Sequence, residues 1–292
     1  MTSTFLIVDG NSIACRGAFV KPTLTNSFGR ETGGTYRFIG MLDKAMKMVR
    51  ATHVVVAWDV AGDNFRKIID ENYKGNRTKK SDSLYYQFED IKAILDAIGI
   101  KNVGVMGYEA DDIIGTYVAR SEADKTFILS GDKDVYQLIN DNVNVIFPKT
   151  GVSDIRIMDK KLFKETFDIE VEQYVEMKAL MGDGGDNVKG VENCGQKTAA
   201  KWLNQYGSLE NLVLNASEIK GKIGENLRAW IPNANKTLEL VRIVRTVPVP
   251  YDYKELEIDL DWTKAESIFN ELEFNSYIKK VHQGGFYNVK KN

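Results

Sequence analysis

The chain has 292 residues, of which 43% are hydrophobic, so it can bury the core of one large domain or of two smaller ones. Its formal net charge of −2 gives no global sign of nucleic-acid binding. No apolar run approaches the ~20 residues that span a bilayer, and the start MTSTFLIVDG lacks the pattern of a signal peptide. We therefore expect an intracellular, cytoplasmic protein without a membrane partner. Two cysteines and two histidines are too few for a disulfide framework or a structural zinc site, so any metal would be bound by oxygen.

The first half of the chain alternates strand and helix patterns. Four short apolar runs end in acidic residues: FLIVD (5–9), VVVAWD (54–59), NVGVMGYE (102–109) and TFILSGDKD (126–134). Helical patterns such as GGTYRFIGMLDKAMKMVR and YYQFEDIKAILDAIG lie between them. This alternation predicts an α/β fold with a mainly parallel central sheet and flanking helices, in which the carboxyl ends of the strands share one edge.

A basic segment at residues 66–83 lies between a predicted strand and a predicted helix. It contains Arg66, Lys67, Lys74, Arg77, Lys79 and Lys80, with Tyr73, Tyr85 and Tyr86 in or near it. Cations that contact phosphates and rings that stack on bases suit single-stranded nucleic acid, whereas a plain solvated loop explains the same composition. We expect the segment to extend away from the compact body.

From about residue 165 the strand signal fades and the chain becomes mostly helical. We therefore predict an α/β domain at 1–165 and a helical domain at 166–292. The turn in GVENCGQKTAAKW offers backbone amides near a helix start, with Lys197 and Lys201 on one face. That arrangement can hold duplex phosphates without reading sequence, although a helix hairpin that needs glycine for its turn explains it equally well.

Nine carboxylates follow the predicted strands or lie in loops. They are Asp9, Asp59, Glu109, Asp111, Asp112, Asp132, Asp134, Asp183 and Asp186. Any one of them could be a turn residue or could favour a helix start. Together they would converge at one sheet edge, where they stay ionised only if cations lie among them. Mg²⁺ or Mn²⁺ is the natural partner, and enzymes that attack phosphodiesters hold two such ions about 4 Å apart.

The motifs YKGNR, GYEADD, GDKDVYQL, MGDGGDNVKGV and GQKTAAKWL in this order resemble the 5′-3′ exonuclease and flap endonuclease family. That family includes the 5′ nuclease domain of bacterial DNA polymerase I and the stand-alone flap endonucleases of bacteriophages. The resemblance covers nearly the whole chain. It implies a PIN-like 5′ nuclease core, a helical arch at about 66–100, and a DNA-binding part with a helix-turn-helix element.

The resemblance also implies roles for individual residues. All nine acids correspond to the metal-binding acids of the family, with two Mg²⁺ ions as cofactors and Mn²⁺ as a substitute. Lys74, Arg77 and Asp111 are the implied catalytic residues, and Tyr73 would stack on a base near the cut. The implied DNA-binding residues are Arg66, Tyr73, Lys74, Arg77, Lys79, Lys80, Lys189, Lys197 and Lys201.

The turn at 190–199 corresponds to the family's duplex-binding element, which often holds K⁺. Val191, Cys194 and Gly195 are its implied ion or phosphate residues. The family's Gly-Ile-Gly hairpin is replaced here by Asn193-Cys194-Gly195.

The leading hypothesis is a monomeric nuclease that cuts flaps, nicks or RNA-primed 5′ ends of DNA in replication or repair. One alternative is a phosphatase of the haloacid dehalogenase type, suggested by IVDGN and GDGGDN, but Asn11 stands where that chemistry needs a second acid. Another is a DNA-binding protein that has kept the fold without catalysis.

Overall fold

A six-stranded sheet forms the centre of the molecule in a computed structural model that describes residues 2–78, 81–150 and 154–289. The strands are β1 (Thr4–Asp9), β2 (His53–Ala57), β3 (Lys101–Val103), β4 (Lys125–Leu129), β5 (Val143–Thr150) and β6 (Asp154–Met158). In β1 the residues from Phe5 to Val8 are completely buried, because helices cover both faces of the sheet. The predicted mainly parallel sheet is confirmed.

The strand order is β3-β2-β1-β4-β5-β6, and only β6 runs antiparallel to its neighbour. The chain adds β2 and β3 on one side of β1 and then crosses to the other side with β4. This reversal opens a crevice between the carboxyl ends of β1 and β4, where ligands bind in open α/β sheets. Asp9 ends β1, and Asp132 follows β4 closely.

Five helices connect the first strands. They are α1 (Gly10–Ala18), α2 (Gly33–Val49), α3 (Phe65–Ile69), α4 (Asp82–Ile98) and α5 (Ala110–Ala119). Ser81 caps the start of α4, where its hydroxyl accepts a hydrogen bond from the amide of Leu84, and Gly99 caps the end in the left-handed conformation. Both ends of α4 are thus capped, and its buried residues lie on one face of the helix.

The predicted arch at 66–100 is wrong for residues 82–98. In α4 the side chains of Ile91, Ile94 and Leu95 are completely buried, and the helix packs against α2. Apolar residues at i, i+3 and i+4 form the stripe that a core-facing helix needs, so this segment belongs to the body of the protein. For the residues between α3 and α4, the arch stays a prediction.

Replacing Ile91 by Ala tests this placement. Because Ile91 is completely buried, we expect the free energy of unfolding to fall by about 2–5 kcal/mol. Tyr86→Ala in the same helix removes a ring that is 59% exposed and should change stability by about 0.5 kcal/mol or less. Urea unfolding measures both, and a loss below about 1 kcal/mol for Ile91→Ala would show that α4 is not packed on the body.

The remainder of the chain is mostly helical. Its helices are α6 (Lys160–Phe167), α7 (Tyr174–Met181), α8 (Gln196–Tyr206), α9 (Leu209–Leu214), α10 (Gly221–Trp230), α11 (Ala234–Val241), α12 (Glu266–Glu271) and α13 (Asn275–His282). A two-stranded ribbon of β7 (Gly182–Asp183) and β8 (Val188–Lys189) separates α7 from α8. Short 3₁₀ turns lie at Asp134–Leu138, Val171–Gln173, Ile231–Asn233, Tyr253–Leu256 and Trp262–Ala265. No helix within the described ranges has both the length and the apolar character needed to cross a bilayer.

The prediction of one helical domain at 166–292 is wrong for residues 253–289, which return to the N-terminal sheet. Phe269 and Tyr277 share a buried cluster with Phe38 of α2. The hydroxyl of Tyr277 donates to the carbonyl of Tyr36 at 2.6 Å. The C-terminal segment therefore belongs to the same core as α2 and α4.

Candidate metal and DNA site

A pocket of about 530 Å³ opens at the carboxyl edge of the sheet. The switch in strand order places it beside β1 and β4, as expected for a parallel sheet. Seven of the nine predicted acids line it: Asp9, Asp59, Glu109, Asp111, Asp132, Asp134 and Asp183. The predicted convergence is confirmed for these seven.

Asp9 is fixed by the end of β1 and the start of α1. One carboxylate oxygen accepts the amide of Ser12 at 2.9 Å and the other accepts the hydroxyl of Ser130 at 2.7 Å. Burial raises the pKa of Asp9 to about 7, with smaller contributions from Asp59 and Asp132, although the two hydrogen bonds oppose the rise. The side chain is therefore oriented but poorly compensated for its negative charge.

Two acids from neighbouring segments meet at the start of α5. The carboxylate of Asp59 accepts the amide of Ala110 at 2.9 Å, which joins the end of β2 to α5. Burial in the pocket raises the pKa of Asp111 well above its usual range, and repulsion from Asp132 and Asp9 adds to the rise. Asp111 thus faces the other acids of the pocket.

Lys178 compensates the acids on the opposite wall. Its ammonium lies 2.7 Å from a carboxylate oxygen of Asp134 and 2.5 Å from one of Asp183. Burial raises the pKa of Asp134 to about 6 even though Lys178 lowers it. Lys178 in turn has its pKa raised, since the two carboxylates outweigh its own burial. The ammonium of Lys178 therefore offsets part of the negative charge of these two acids.

Asp186 lies beside the pocket, among the basic residues of the segment after α3. Its carboxylate forms ion pairs with Arg77 and, at 3.7 Å, with Lys74. The ammonium of Lys74 also lies 2.5 Å from Glu109, which lines the pocket. Lys74 and Arg77 both line the pocket as well, so the predicted basic pair does reach the acids.

Two predicted roles in this region need correction, and two further predicted residues are not described. The ring of Tyr73 is 3% exposed, and its hydroxyl lies 3.1 Å from Glu109 and 3.0 Å from Asp186, so it cannot stack on a base in this conformation. Arg66 is 2% exposed and is not placed to contact DNA. Lys79 and Lys80 lie outside the described residues.

Asp112, also predicted to bind metal, does not line the pocket. Its side chain is completely buried and holds the guanidinium of Arg66 through two hydrogen bonds of 2.7 and 2.8 Å. The sequence places Glu109 and Asp112 on one helical face, and they do meet in a reciprocal capping box. That arrangement turns Asp112 into the protein while Asp111 faces the pocket.

The donor set suits a hard divalent cation. Carboxylate oxygens are the ligands that Mg²⁺ and Mn²⁺ prefer, and Mg²⁺ usually keeps several waters. Burial raises the pKa values of Asp9, Asp111 and Asp134, and a cation among them would oppose these rises. In the described part of the chain, no group of three or more His, Cys, Asp or Glu side chains is arranged to hold a metal ion. The fit therefore rests on the chemistry of the acids and on the pocket that they share.

The hairpin before α8 forms a separate small surface. Val191 and Cys194 are buried, and the amide of Cys194 donates to the carbonyl of Val191 at 3.0 Å. Asn193 takes the left-handed conformation with φ of 64°, which asparagine tolerates better than most residues, so the hairpin forms without the family's first glycine. Gly195 caps α8 and is exposed.

Three predicted DNA-binding lysines lie on this side of the molecule. Lys197 and Lys201 are exposed on α8 and line the same grooves, and Lys189 is exposed on β8 beside the hairpin. Among the residues that the structure describes, none of the three has an ion-pair partner. Their charges are therefore available to an anionic ligand.

Several residues around the acids were missed from the sequence. Lys178 lies on α7, five residues before Asp183. Its position just before the motif MGDGGD could have identified it from the sequence. Ser130 directly follows β4, and Asn64 donates to Glu109 at 2.7 Å. Short polar side chains at strand ends are common, so their role becomes visible only in three dimensions.

Comparisons with known proteins agree with this geometry. The chain matches the family model for the N-terminal resolvase-like domain of 5′-3′ exonucleases over residues 4–168 and the model for their C-terminal SAM fold over residues 169–263. DNA polymerase I of Bacillus caldotenax is 36% identical over 285 residues, which cover 96% of this chain and 32% of the polymerase. DNA polymerase I of Bacillus subtilis is 35% identical over 280 residues, which cover 94% and 32%. The chain thus spans about a third of the length of these curated relatives.

Solved structures share the fold. The D15 protein of bacteriophage T5, co-crystallized with metal ions, has a TM-score of 0.70 at 22% identity, with 96% of this chain and 98% of that chain covered. Human GEN1 in complex with Holliday junction DNA has a TM-score of 0.57 at 15% identity, with 96% and 70% covered. The family models cover most of the residues that build the sheet, the acid pocket and the hairpin. The chain therefore belongs to the 5′-3′ exonuclease family.

Proposed function

We propose that the protein is a structure-specific 5′ nuclease that hydrolyses phosphodiester bonds of 5′-flap, nicked or primer-ended DNA. The observation that carries this proposal is the pocket in which seven carboxylates face Lys74 and Arg77. Acids suit the cations that phosphodiester hydrolysis uses, and the two basic side chains suit the phosphate itself. Family membership supports the same activity, and a T5 relative of the same fold is described as a flap endonuclease in complex with DNA and metal ions.

Two divalent ions, Mg²⁺ with Mn²⁺ as a substitute, would be held by the seven pocket acids. When bound, such ions activate the attacking water and stabilise the leaving oxygen during in-line displacement. The protein's own groups orient the acids: Ser130 fixes Asp9, and Lys178 holds Asp134 beside Asp183. The resulting ends would be a 5′-phosphate and a 3′-hydroxyl.

Lys74 and Arg77 would move from carboxylates to phosphate when DNA enters. In the free protein, Lys74 contacts Glu109 and Arg77 contacts Asp186. Glu109 is also among the acids that would hold the ions, and the ion pairs of Lys74 and Arg77 would open as the two side chains turn toward phosphate. The ammonium and the guanidinium could then offset the charge that develops on the phosphoryl group.

The duplex part of the substrate would lie along α8 and its hairpin. Lys189, Lys197 and Lys201 are exposed there, and phosphate contacts from such a surface position DNA without reading its sequence. We also propose that K⁺ binds at the hairpin of Val191, Cys194 and Gly195. The natural substrates would include RNA-DNA primer ends. The protein would act as a monomer, in the cytoplasm of a bacterial or phage-infected cell.

The haloacid dehalogenase hypothesis is less favoured. The amide of Asn11 lies within the site, where its oxygen accepts the backbone amide of Asp59 at 2.8 Å, and it offers no second acid. The matched family models are those of exonucleases. A non-catalytic DNA-binding role would not require seven acids to face one pocket.

A panel of labelled substrates tests the proposed function. We expect incision near the branch point of a 5′-flap duplex in Mg²⁺, with far slower cleavage of a 3′-flap duplex and of single strands with the same sequence. Gel analysis would show the position of the cut and the chemistry of both ends. Tight binding of the 5′ flap without any cleavage in Mg²⁺ or Mn²⁺ would overturn catalysis and favour the DNA-binding alternative.

The two lysines of α8 give a prediction for binding. A double Lys197→Met and Lys201→Met variant should bind duplex DNA more weakly, whatever the DNA sequence. Without the two ammonium groups the protein neutralises fewer phosphates, so binding releases fewer of the counterions condensed on DNA. The slope of log K against log salt concentration should fall in magnitude by about 2, or about 1 for each phosphate contact. Fluorescence anisotropy at several salt concentrations, in Ca²⁺ or EDTA, measures this slope.

Lys222→Met is the matched control for that measurement. Lys222 is an exposed lysine of α10 whose ammonium pairs with Glu225 at 3.4 Å. Its removal should leave the slope unchanged. Equal slopes for the wild type and the double variant would show that α8 does not contact the duplex.

A further inference from the structure

Arg66 and Asp112 form a buried ion pair at the junction of α3, α5 and the residues that follow α11. The side chains are 3% and 0% exposed, and two hydrogen bonds of 2.7 and 2.8 Å join them. Such bidentate geometry uses the planar fork of arginine, which lysine cannot reproduce. Neither residue lines the acid pocket, although the guanidinium of Arg66 lies 3.6 Å from the carboxylate of Glu109, which does.

The hydrogen bonds of Asp112 leave no place for a metal ion. Besides the two bonds from Arg66, one oxygen accepts the amide of Val244 at 2.8 Å and the other accepts the amide of Glu109 at 3.1 Å. A carboxylate has about four lone-pair sites, and N–H donors occupy four here. An ion could bind only after one of these donors had lost its partner.

Arg66 extends the same network to the helical part of the chain. Its guanidinium also donates to the carbonyls of Leu240 at 2.9 Å and Arg242 at 2.7 Å. At the other end of α3, Asp70 forms an ion pair with Lys236 of α11 at 2.8 Å. The helix α3 is therefore bonded to α11 and its extension at both ends.

This network connects the acids at the start of α5 with the basic residues that follow α3, which the proposed reaction must bring together. Asp112 lies on the first turn of α5, directly after Asp111 and three residues after Glu109. Arg66 lies on α3, which leads through a short turn to Lys74. Through the carbonyls of Leu240 and Arg242, the pair also sets the place of both groups relative to α11.

We propose that Asp112 and Arg66 are a positioning pair for the nuclease reaction, and that Asp112 is not a metal ligand. This inference rests on the proposed function. The pair aligns the acids of α5 and the basic residues after α3 with the helical part that holds the duplex. The pair acts through Glu109, Asp111 and Lys74 and makes no contact with DNA or metal itself.

Single and double substitutions distinguish this role from metal binding. The variants are Asp112→Asn, Arg66→Met, the double variant and Arg66→Lys, with Asp63→Asn as the matched control. Asp63 forms an exposed ion pair with Lys67 on the same helix, and its side chain is 80% exposed. Single-turnover cleavage of a 5′-flap duplex is measured against Mg²⁺ concentration, together with DNA affinity and unfolding temperature in EDTA.

For a positioning pair, we expect both single variants to lose about a hundredfold in single-turnover rate, because a displacement near 1 Å can cost that much. The double variant should be no slower than the slower single one, since the two residues act as a unit. Arg66→Lys should recover part of the rate. Any change in the half-saturating Mg²⁺ concentration should be the same in Asp112→Asn and Arg66→Met. DNA affinity in EDTA should stay within about threefold of the wild type, because the duplex contacts lie elsewhere.

Two results would overturn the proposal. The first is a large rise in half-saturating Mg²⁺ for Asp112→Asn alone, with no such change in Arg66→Met, which is the behaviour of a metal ligand. The second is a lower unfolding temperature in EDTA with an unchanged rate for the folded fraction, which is the behaviour of a purely structural pair.

A separate measurement avoids variants that do not fold. A crystal of the wild-type protein in Mn²⁺ would show, by anomalous scattering, ions beside Asp111 and an intact pair between Asp112 and Arg66. An ion bound directly to Asp112 would contradict the proposal. Cleavage by the wild type and by Asp63→Asn separates the two claims, because their inactivity would refute the proposed function rather than the pair.

Discussion

Asp111→Asn should cleave a 5′-flap duplex about a thousandfold more slowly than the wild type, since binding of catalytic divalent ions supplies several kcal/mol of transition-state stabilisation. Asp111 lines the acid pocket, and burial and neighbouring acids raise its pKa well above the usual range. The substitution keeps the size of the side chain and removes its negative charge. Single-turnover cleavage in saturating Mg²⁺ measures the loss.

Stability separates this loss from misfolding. Without metal, Asp111→Asn should unfold at the same or a higher temperature than the wild type, because it removes a carboxylate that its neighbours repel. Added Mg²⁺ should raise the unfolding temperature of the wild type more than that of the variant. A variant that cleaves within tenfold of the wild-type rate would remove Asp111 from the proposed metal site.

Lys74→Met should lower the rate of the cleavage step by about a hundredfold, comparable with the loss of one preorganised donor to a developing negative charge. The ammonium lies 2.5 Å from Glu109 and 3.7 Å from Asp186, at the junction of the acids and the basic segment. Its loss removes a charge that would face the phosphoryl group. Single-turnover rates at saturating enzyme measure this step separately from binding.

Lys67→Met is the control for nearby positive charge. Lys67 lies on α3 in an exposed pair with Asp63 at 2.9 Å, outside the acid pocket. It should retain nearly the full rate of cleavage. If Lys74→Met weakens DNA binding but leaves the rate of the bound complex unchanged, Lys74 holds substrate and does not assist the cleavage step.

The convergence of acids could be predicted because it depends on one property of parallel sheets. Runs such as FLIVD and VVVAWD are buried on both faces, and each ends in a carboxylate at the same edge. The order of the strands was not needed for that conclusion. The antiparallel β6 carries none of the predicted acids, and its absence from the sequence interpretation did not affect the site.

The direction of individual side chains could not be predicted in the same way. Spacing in EADD places Glu109 and Asp112 on one face of α5, but it does not say that Arg66 lies against that face. The partner is 46 residues away in the sequence, so only the tertiary fold brings the two together. The same reason explains Tyr73, whose hydroxyl is bound by Glu109 and Asp186 from two distant segments.

Two predictions, the arch that extended to residue 100 and the single helical C-terminal domain, were wrong in part for the same reason. Basic composition at 66–83 suggested an excursion, yet the apolar stripe of α4 begins immediately after it and is buried. At the other end, Phe269 and Tyr277 lie on short helices whose amphipathic pattern does not identify the surface that they cover. Local patterns predict that a helix has a buried face, but they do not predict its partner.

The most direct test of the account is the metal dependence of cleavage. A 5′-flap duplex labelled on the flap is incubated with the wild-type protein in Mg²⁺ and, in parallel, in EDTA. We predict release of the flap with a 3′-hydroxyl end in Mg²⁺ and no release in EDTA. Equal cleavage in EDTA, or binding without cleavage in both Mg²⁺ and Mn²⁺, would contradict the claim that the acid pocket holds the ions of a 5′ nuclease.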